Sequence, residues 1–220
     1  MANDGISRRD FFTYLTGAAA LALGGCATSN PGQDSVTITV PDRSVVPLPY
    51  TGAEPEGTIL ISYSHRQLYL VDADGKVRAY TIAVPRPGLE GPFPWAPGGY
   101  QHTIITHELA NPPWTPTPNM LRENPGLRAY AGGEPGNPMG SYALYFRDGD
   151  FYRIHGSSSD ISIGEAVSAG CIRMTNAQVE DLAARVGPNT VVKFYQGDIP
   201  GITARGPRME QRQIPVLNRI

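Results

Sequence analysis

The amino-acid sequence predicts a mainly β domain, and three observations carry that expectation. Glycine and proline are frequent, 25 and 21 of 220 residues, which favours a chain rich in turns. Short apolar or alternating segments recur between turn residues: "TILISY" (58–63), "QLYLVD" (67–72), "KVRAYTIAV" (76–84), "YQHTIITHE", "SYALYF" and "TVVKFY" (190–195). One stretch, "AQVEDLAARV", has a helical pattern, with Thr175 or Asn176 as its cap and Gly187-Pro188 as its stop.

Taken in order, residues 1–26 look like an export signal. Arg8 and Arg9 precede Phe11, Phe12 and a short apolar run rich in Ala and Gly, too short for a comfortable membrane span. The arginine pair resembles a twin-arginine signal; the alternative is the basic start of an ordinary secretion signal. "LALGGC" resembles a bacterial lipobox, with cleavage before Cys26 and lipidation of its thiol; the alternative is a simple cut after Ala27. Stable attachment would then need several acyl chains, because one chain holds a membrane only marginally.

Residues 27–57 are rich in Ser, Pro, Gly and Asp and read as a tether, with "VTITV" (36–40) as a possible edge strand. The domain proper spans 58–195. It opens with a hairpin or meander that turns at "DADG", followed by a proline-rich loop over 85–100. A second irregular segment covers 110–126, and a hairpin around "RDGD" ends its second strand at His155. The tail, 196–220, shows no clear period and reads as irregular.

The formal net charge is -2 with no run of Lys or Arg, so the electrostatic footprint of a nucleic-acid binder is missing and no such partner is expected. His102 and His107 fall on one predicted strand five positions apart, which strict alternation sends to opposite faces. No metal or cofactor is implied. The chain has 2 cysteines. With Cys26 cleaved off or lipidated, Cys171 has no second cysteine for a disulfide, and it is either a small buried filler or a nucleophile.

In "YRIHGSSSDISIGEAVSAGCIRM", His155 ends a strand and Cys171 lies just before a helix. Thiol catalysis needs an imidazole near the sulfur, and a helix N-terminus favours negative charge there. Gly170 allows its own N–H and that of Cys171 to face a developing oxyanion. Ser157, Ser158 and Ser159 lack an activating arrangement, and Ser168 is read as shaping the cysteine loop.

The segment resembles the L,D-transpeptidase (YkuD) catalytic domain family over roughly 58–195, through "IHG", "SIG" and "SAGCIRM", with "RPG", "NPPWTPTP" and "NPMGSYAL" in support. The resemblance implies a β-sandwich-like domain with a mixed sheet and a few short helices. It implies Cys171 as nucleophile, His155 as base and then acid, the Gly156 carbonyl on the other ring nitrogen, and an oxyanion hole from Gly170 and Cys171. Arg173 would order the site or meet a substrate carboxylate, the alternative being a structural ion pair. Trp114 would line the cleft or pack beneath its loop.

The implied enzyme is a periplasmic peptidoglycan L,D-transpeptidase inhibited by carbapenems. It would attack tetrapeptide stems, release D-alanine, and pass the acyl group to a stem amine in a 3-3 cross-link, to a lysine of an envelope protein, or to water as an L,D-carboxypeptidase. Two departures stand out. Ala169 replaces the family histidine, which keeps open a catalytically degenerate, lipid-anchored wall-binding tether. In addition, "APGG" (96–99) follows an apparent insertion, which would reshape one wall of the cleft.

Overall fold

In the computed structural model, strands β1 (Ser35–Pro41), β2 (Val46–Pro49), β3 (Ile59–Ser62), β4 (Gln67–Asp72), β5 (Lys76–Thr81), β6 (Val84–Pro85), β7 (Trp95–Ala96) and β8 (Tyr100–Ala110) precede helix α1 (Pro118–Glu123). Strands β9 (Tyr142–Phe146) and β10 (Arg153–His155), a 3-10 turn at Asp160–Ser162, β11 (Ala166–Ser168) and β12 (Ile172–Arg173) lead to helix α2 (Asn176–Ala183). The chain continues through β13 (Val191–Tyr195) and β14 (Met209–Pro215). The structure describes residues 35–41, 44–89, 95–96, 100–147, 152–206 and 209–215. The export-signal, lipobox and Cys26 expectations lie outside these, as does most of "APGG".

The architecture is mainly β with a mixed sheet and few helices. A ten-stranded sheet runs β12-β10-β9-β8-β13-β3-β4-β5-β2, with β7 paired to β8. It is mixed because β10 pairs β12 and β13 pairs β3 in parallel, while the other neighbours are antiparallel. The β4–β5 hairpin turns where Asp74 and Gly75 both take positive φ, 62° and 64°, the geometry that matches strand twist and suits an Asp-Gly pair.

On one face of the sheet Ile59, Ile61, Leu68, Tyr80, Leu144, Ile154, Ile172 and Phe194 pack together with Val179 and Leu182 of α2. On the other face Tyr50, Leu60, Tyr69, Val71, Val77, Tyr195 and Ile199 form a second cluster. Strands β3 and β4 are therefore buried on both sides, which is why "ILIS" and "QLYLV" run apolar without alternation. Helix α2 begins in a capping box, Thr175 accepting from the Gln178 N–H at 3.2 Å. It ends at Ala183, short of the expected Gly187. Tyr80 ties it to β5 by donating to Asp181 Oδ2 at 2.8 Å.

Several elements differ from the sequence expectation. Part of the expected tether is an edge strand of the main sheet, but it is β2, "VPLP", rather than 36–40. Val46 and Leu48 keep their N–H groups for pairing with β5, and Pro47 and Pro49 sit where an edge strand needs no donor. Segment 36–40 does form a strand, β1, which pairs with β14 in a separate two-stranded sheet, so the tail is not wholly irregular. The second irregular segment contains α1, capped by Thr117 with proline at its first position. Residues Thr37–Ile214 form one unit, wider than 58–195; the other, Met1–Val36 with Pro215–Ile220, lies almost wholly outside the described residues.

Candidate active site

Strands β10 and β12 set the site by their parallel register, Ile154 opposite Ile172 and His155 opposite Arg173. Register partners project to one face and alternate residues to the other. Ile154, Ile172 and Met174 enter the core, so Arg153, His155, Cys171 and Arg173 share the opposite face. The register continues before β12, because a Cβ on Gly170 would stand 2.5 Å from the Tyr152 ring. Cys171 thus falls beside Arg153. Arg173 is held between β10 and the residue that precedes β6, its N–H and C=O bonded to Ala83 at 3.0 and 2.9 Å, while the Met174 N–H donates to the His155 carbonyl at 2.9 Å.

His155 is 4% exposed. Its Nδ1 lies 2.7 Å from the Gly156 carbonyl oxygen. A carbonyl only accepts, so Nδ1 carries the proton and Nε2 keeps its lone pair. Burial, then the Arg173 cation and more weakly the Arg153 cation, push the imidazole down to about 3, against the opposing pull of the Gly156 and Met139 carbonyls. The ring is neutral at neutral pH.

Cys171 is partly exposed. Ser168, buried, closes its loop by donating to the Cys171 carbonyl at 2.5 Å and accepting from the Gly170 N–H at 3.3 Å. That long bond occupies the Gly170 amide, which is thus not an open oxyanion donor as it stands. Gly170 has φ +130° against the Tyr152 ring, so no side chain fits there. Ala169 is exposed and offers only a methyl group.

The expectation that Cys171 abuts a helix N-terminus is corrected. Strand β12 intervenes and α2 starts at Asn176, because Ile172 and Arg173 complete the pairing with β10. The charge near the sulfur comes instead from Arg173, whose guanidinium burial holds below its ordinary value, with the neighbouring Cys171 acting the other way.

Arg173 lines a cleft of about 330 Å³ with Pro138, Ser157, Ser158, Ser159, Ile161 and Ser162. Its buried Nε has no hydrogen-bond partner, and the structural ion pair weighed from sequence is not seen among the described residues. Ser157 donates to the Ser159 carbonyl at 2.6 Å. Trp114 is not among the lining residues; its ring packs 6.2 Å from that of Tyr130.

Three further residues, Asn176, Asn137 and Met139, shape the site in ways the sequence analysis does not assign. Asn176 Oδ1 accepts from the Ser141 and Ser157 N–H groups, both at 3.1 Å, pinning the loops on either side of His155. A Cβ on Gly156 would come within 2.3 Å of that same oxygen. Asn137 donates to the Pro112 and Ala131 carbonyls and accepts from the Met139 N–H, which sets the Met139 carbonyl against the His155 ring. The "NPMGS" stretch was the available hint for two of them.

His102 and His107 do not lie on opposite faces. A register shift between Ile105 and His107 accommodates Thr106 as an extra residue, so both histidines are exposed on the outer side. Five residues of strand still hold them roughly 15 Å apart. A smaller cavity of about 120 Å³, lined by His65, Tyr69, Asp198 and Arg205 among others, contains none of the predicted site residues.

The family model for the L,D-transpeptidase catalytic domain (YkuD) matches residues 56–194, and the chain belongs to that family. It is 28% identical over 200 residues to the probable L,D-transpeptidase YbiS of Escherichia coli K12, covering 86% of this chain and 61% of that protein. It is 31% identical over 183 residues to the probable L,D-transpeptidase ErfK/SrfK of the same strain, covering 78% and 55%. The chain thus spans between 55% and 61% of the length of these curated relatives. The crystal structure of L,D-transpeptidase 3 from Mycobacterium tuberculosis with a faropenem-derived adduct resembles it at TM-score 0.45 and 14% identity, covering 63% of this chain and 60% of that one.

Proposed function

We propose that this chain is a periplasmic peptidoglycan L,D-transpeptidase in which Cys171 is the nucleophile and His155 the base. The observation that carries the reading is the buried His155, whose Nδ1 is bonded to the Gly156 carbonyl at 2.7 Å, leaving Nε2 as acceptor on the sheet face that bears Cys171. The thiol sulfur attacks the carbonyl of the third residue of a tetrapeptide stem as its proton passes to Nε2. Burial and two guanidiniums disfavour an isolated imidazolium, so the proton moves together with the attack, when negative charge develops beside the ring.

The tetrahedral oxyanion takes the Cys171 N–H, and Gly170 joins by exchanging its long bond to Ser168. Collapse expels D-alanine, which takes the proton from His155, and leaves a thioester. Arg173, which lines the cleft and makes no ion pair among the described residues, holds a stem carboxylate. Export by a twin-arginine-type signal and lipidation at Cys26 would fix the enzyme at the membrane facing the wall. An envelope protein's lysine is the alternative acceptor.

Purified protein incubated with a defined tetrapeptide, with and without an acceptor amine, should release D-alanine and, with amine, form the amide, both read by mass spectrometry. Binding of wall fragments with no release of D-alanine would overturn this reading in favour of the degenerate tether, which the methyl group of Ala169 keeps in view.

A further inference from the structure

The catalytic face continues beyond Cys171 on the side away from the cleft. Arg153 of β10 is paired with Tyr145 of β9, and Tyr145 with His107 of β8. These three side chains and Cys171 therefore form one row across four neighbouring strands, spanning roughly 14 Å. The His107 and Tyr145 rings stack at 4.4 Å and 8°. The Arg153 guanidinium lies 5.3 Å from the centroid of Tyr145, a distance at which an aromatic face holds a cation.

Arg153 makes no ion pair among the described residues, and its buried Nε has no hydrogen-bond partner. A partly buried guanidinium with no ion pair, steadied on an aromatic stack beside a nucleophile, suits a carboxylate arriving at that nucleophile. The mechanism above uses Arg173, on the other side of Cys171, for the donor stem. It leaves Arg153 without a task.

Resting on that reading, we propose that the Arg153–Tyr145–His107 row is the acceptor subsite and selects an amine whose own carbon carries a carboxylate, as at the diamino-acid end of a neighbouring stem. A protein lysine side chain and water have no such group. In the transfer step the free-base amine attacks the Cys171 thioester carbonyl. A C–N bond forms, the C–S bond breaks, the amine proton passes to His155 Nε2 and then to the departing sulfur, and Arg153 holds the carboxylate so that the nitrogen faces the thioester.

The test uses the full chain in two stages. Tetrapeptide is first added without amine, and the acyl-enzyme mass is recorded. The thioester is then partitioned between D-norvaline and D-norvalinamide, each rate corrected for its fraction of free amine. The readout is the ratio of the two amide products, which does not depend on the acylation rate.

Wild type should favour D-norvaline by tenfold or more, Arg153→Gln should bring the ratio close to one, and Arg153→Lys should restore part of it. Tyr145→Leu, which removes the ring beneath the guanidinium, should fall between. An acyl-enzyme that partitions without preference in wild type overturns the subsite and leaves the transpeptidase reading intact. So does a preference that survives in Arg153→Gln but disappears in Arg173→Gln. Absence of any acyl-enzyme overturns the transpeptidase reading, and the subsite with it.

Discussion

The two halves of the main sheet have the same backbone but use their residues differently. In β3 and β4 nearly every side chain is buried, because apolar clusters cover both faces. In β10 and β12 only alternate residues serve the core: Ile154 and Ile172 point inward, while Arg153, His155 and Arg173 line the opposite face beside Cys171. This end of the sheet brings Cys171, His155 and two guanidiniums to one face at positions fixed by strand pairing. Packing and chemistry are thereby separated residue by residue along the same strand, and substitutions at neighbouring positions should have different consequences.

The largest effect is expected on the reactive face. His155→Asn keeps a polar side chain near the Gly156 carbonyl but removes the base, and acyl-enzyme formation at neutral pH should slow by about 10²–10⁴-fold. A fall of less than tenfold in stopped mass-spectrometric assays would erase the contrast between the two faces. One residue earlier, Ile154→Ala should do the reverse. It empties a fully buried position and should cost about 2–5 kcal/mol in chemical denaturation, with the acylation rate per folded molecule near wild type.

A smaller effect should appear in the pH dependence of stability. The ordinary histidine value is about 6.5, and in the folded chain His155, facing Arg173 and Arg153, is pushed down to about 3. As pH falls below about 6.5 the unfolded chain binds a proton that the folded chain refuses, so stability is full above 6.5 and is lost down to about pH 3. The loss is on the order of a few kcal/mol. Denaturation midpoints at pH 7 and pH 4 should differ by less in His155→Asn than in wild type; an equal acid loss in both proteins would mean that this ring is not the source.

How much of this could be read from the sequence follows from the same separation. Strands β3, β4, β5, β8, β9, β10 and β13 show in their apolar runs and Asp/Gly turns, and α2 in its Thr175–Gln178 cap. Strand β2 was concealed because Pro47 and Pro49 read as loop until the edge position is known. The strand β14, "MEQRQIP", has too mixed a pattern to register. The bulge at Thr106 reversed the relation of His102 and His107, since alternation assumes an unbroken ladder.

Cys171 and His155 can be singled out from the sequence because their motif is local, and the strand register places them on one face. Asn176, Asn137 and Met139 cannot be singled out in this way. They act through a side-chain oxygen shared by two distant loops, through bonds to backbone carbonyls, and through a carbonyl of their own, none of which leaves a spacing to find. Arg153 leaves no sequence signal for a related reason, since the role proposed for it depends on its neighbours across β9 and β8.

Whether Cys171 is the nucleophile is read most directly from intact-mass analysis of the folded protein exposed to a carbapenem, followed by peptide mapping. One covalent adduct is expected, located on Cys171 and formed much more slowly in His155→Asn. A folded protein that forms no adduct, or that carries it on Ser157, Ser158 or Ser159, would contradict the assignment of Cys171 as nucleophile.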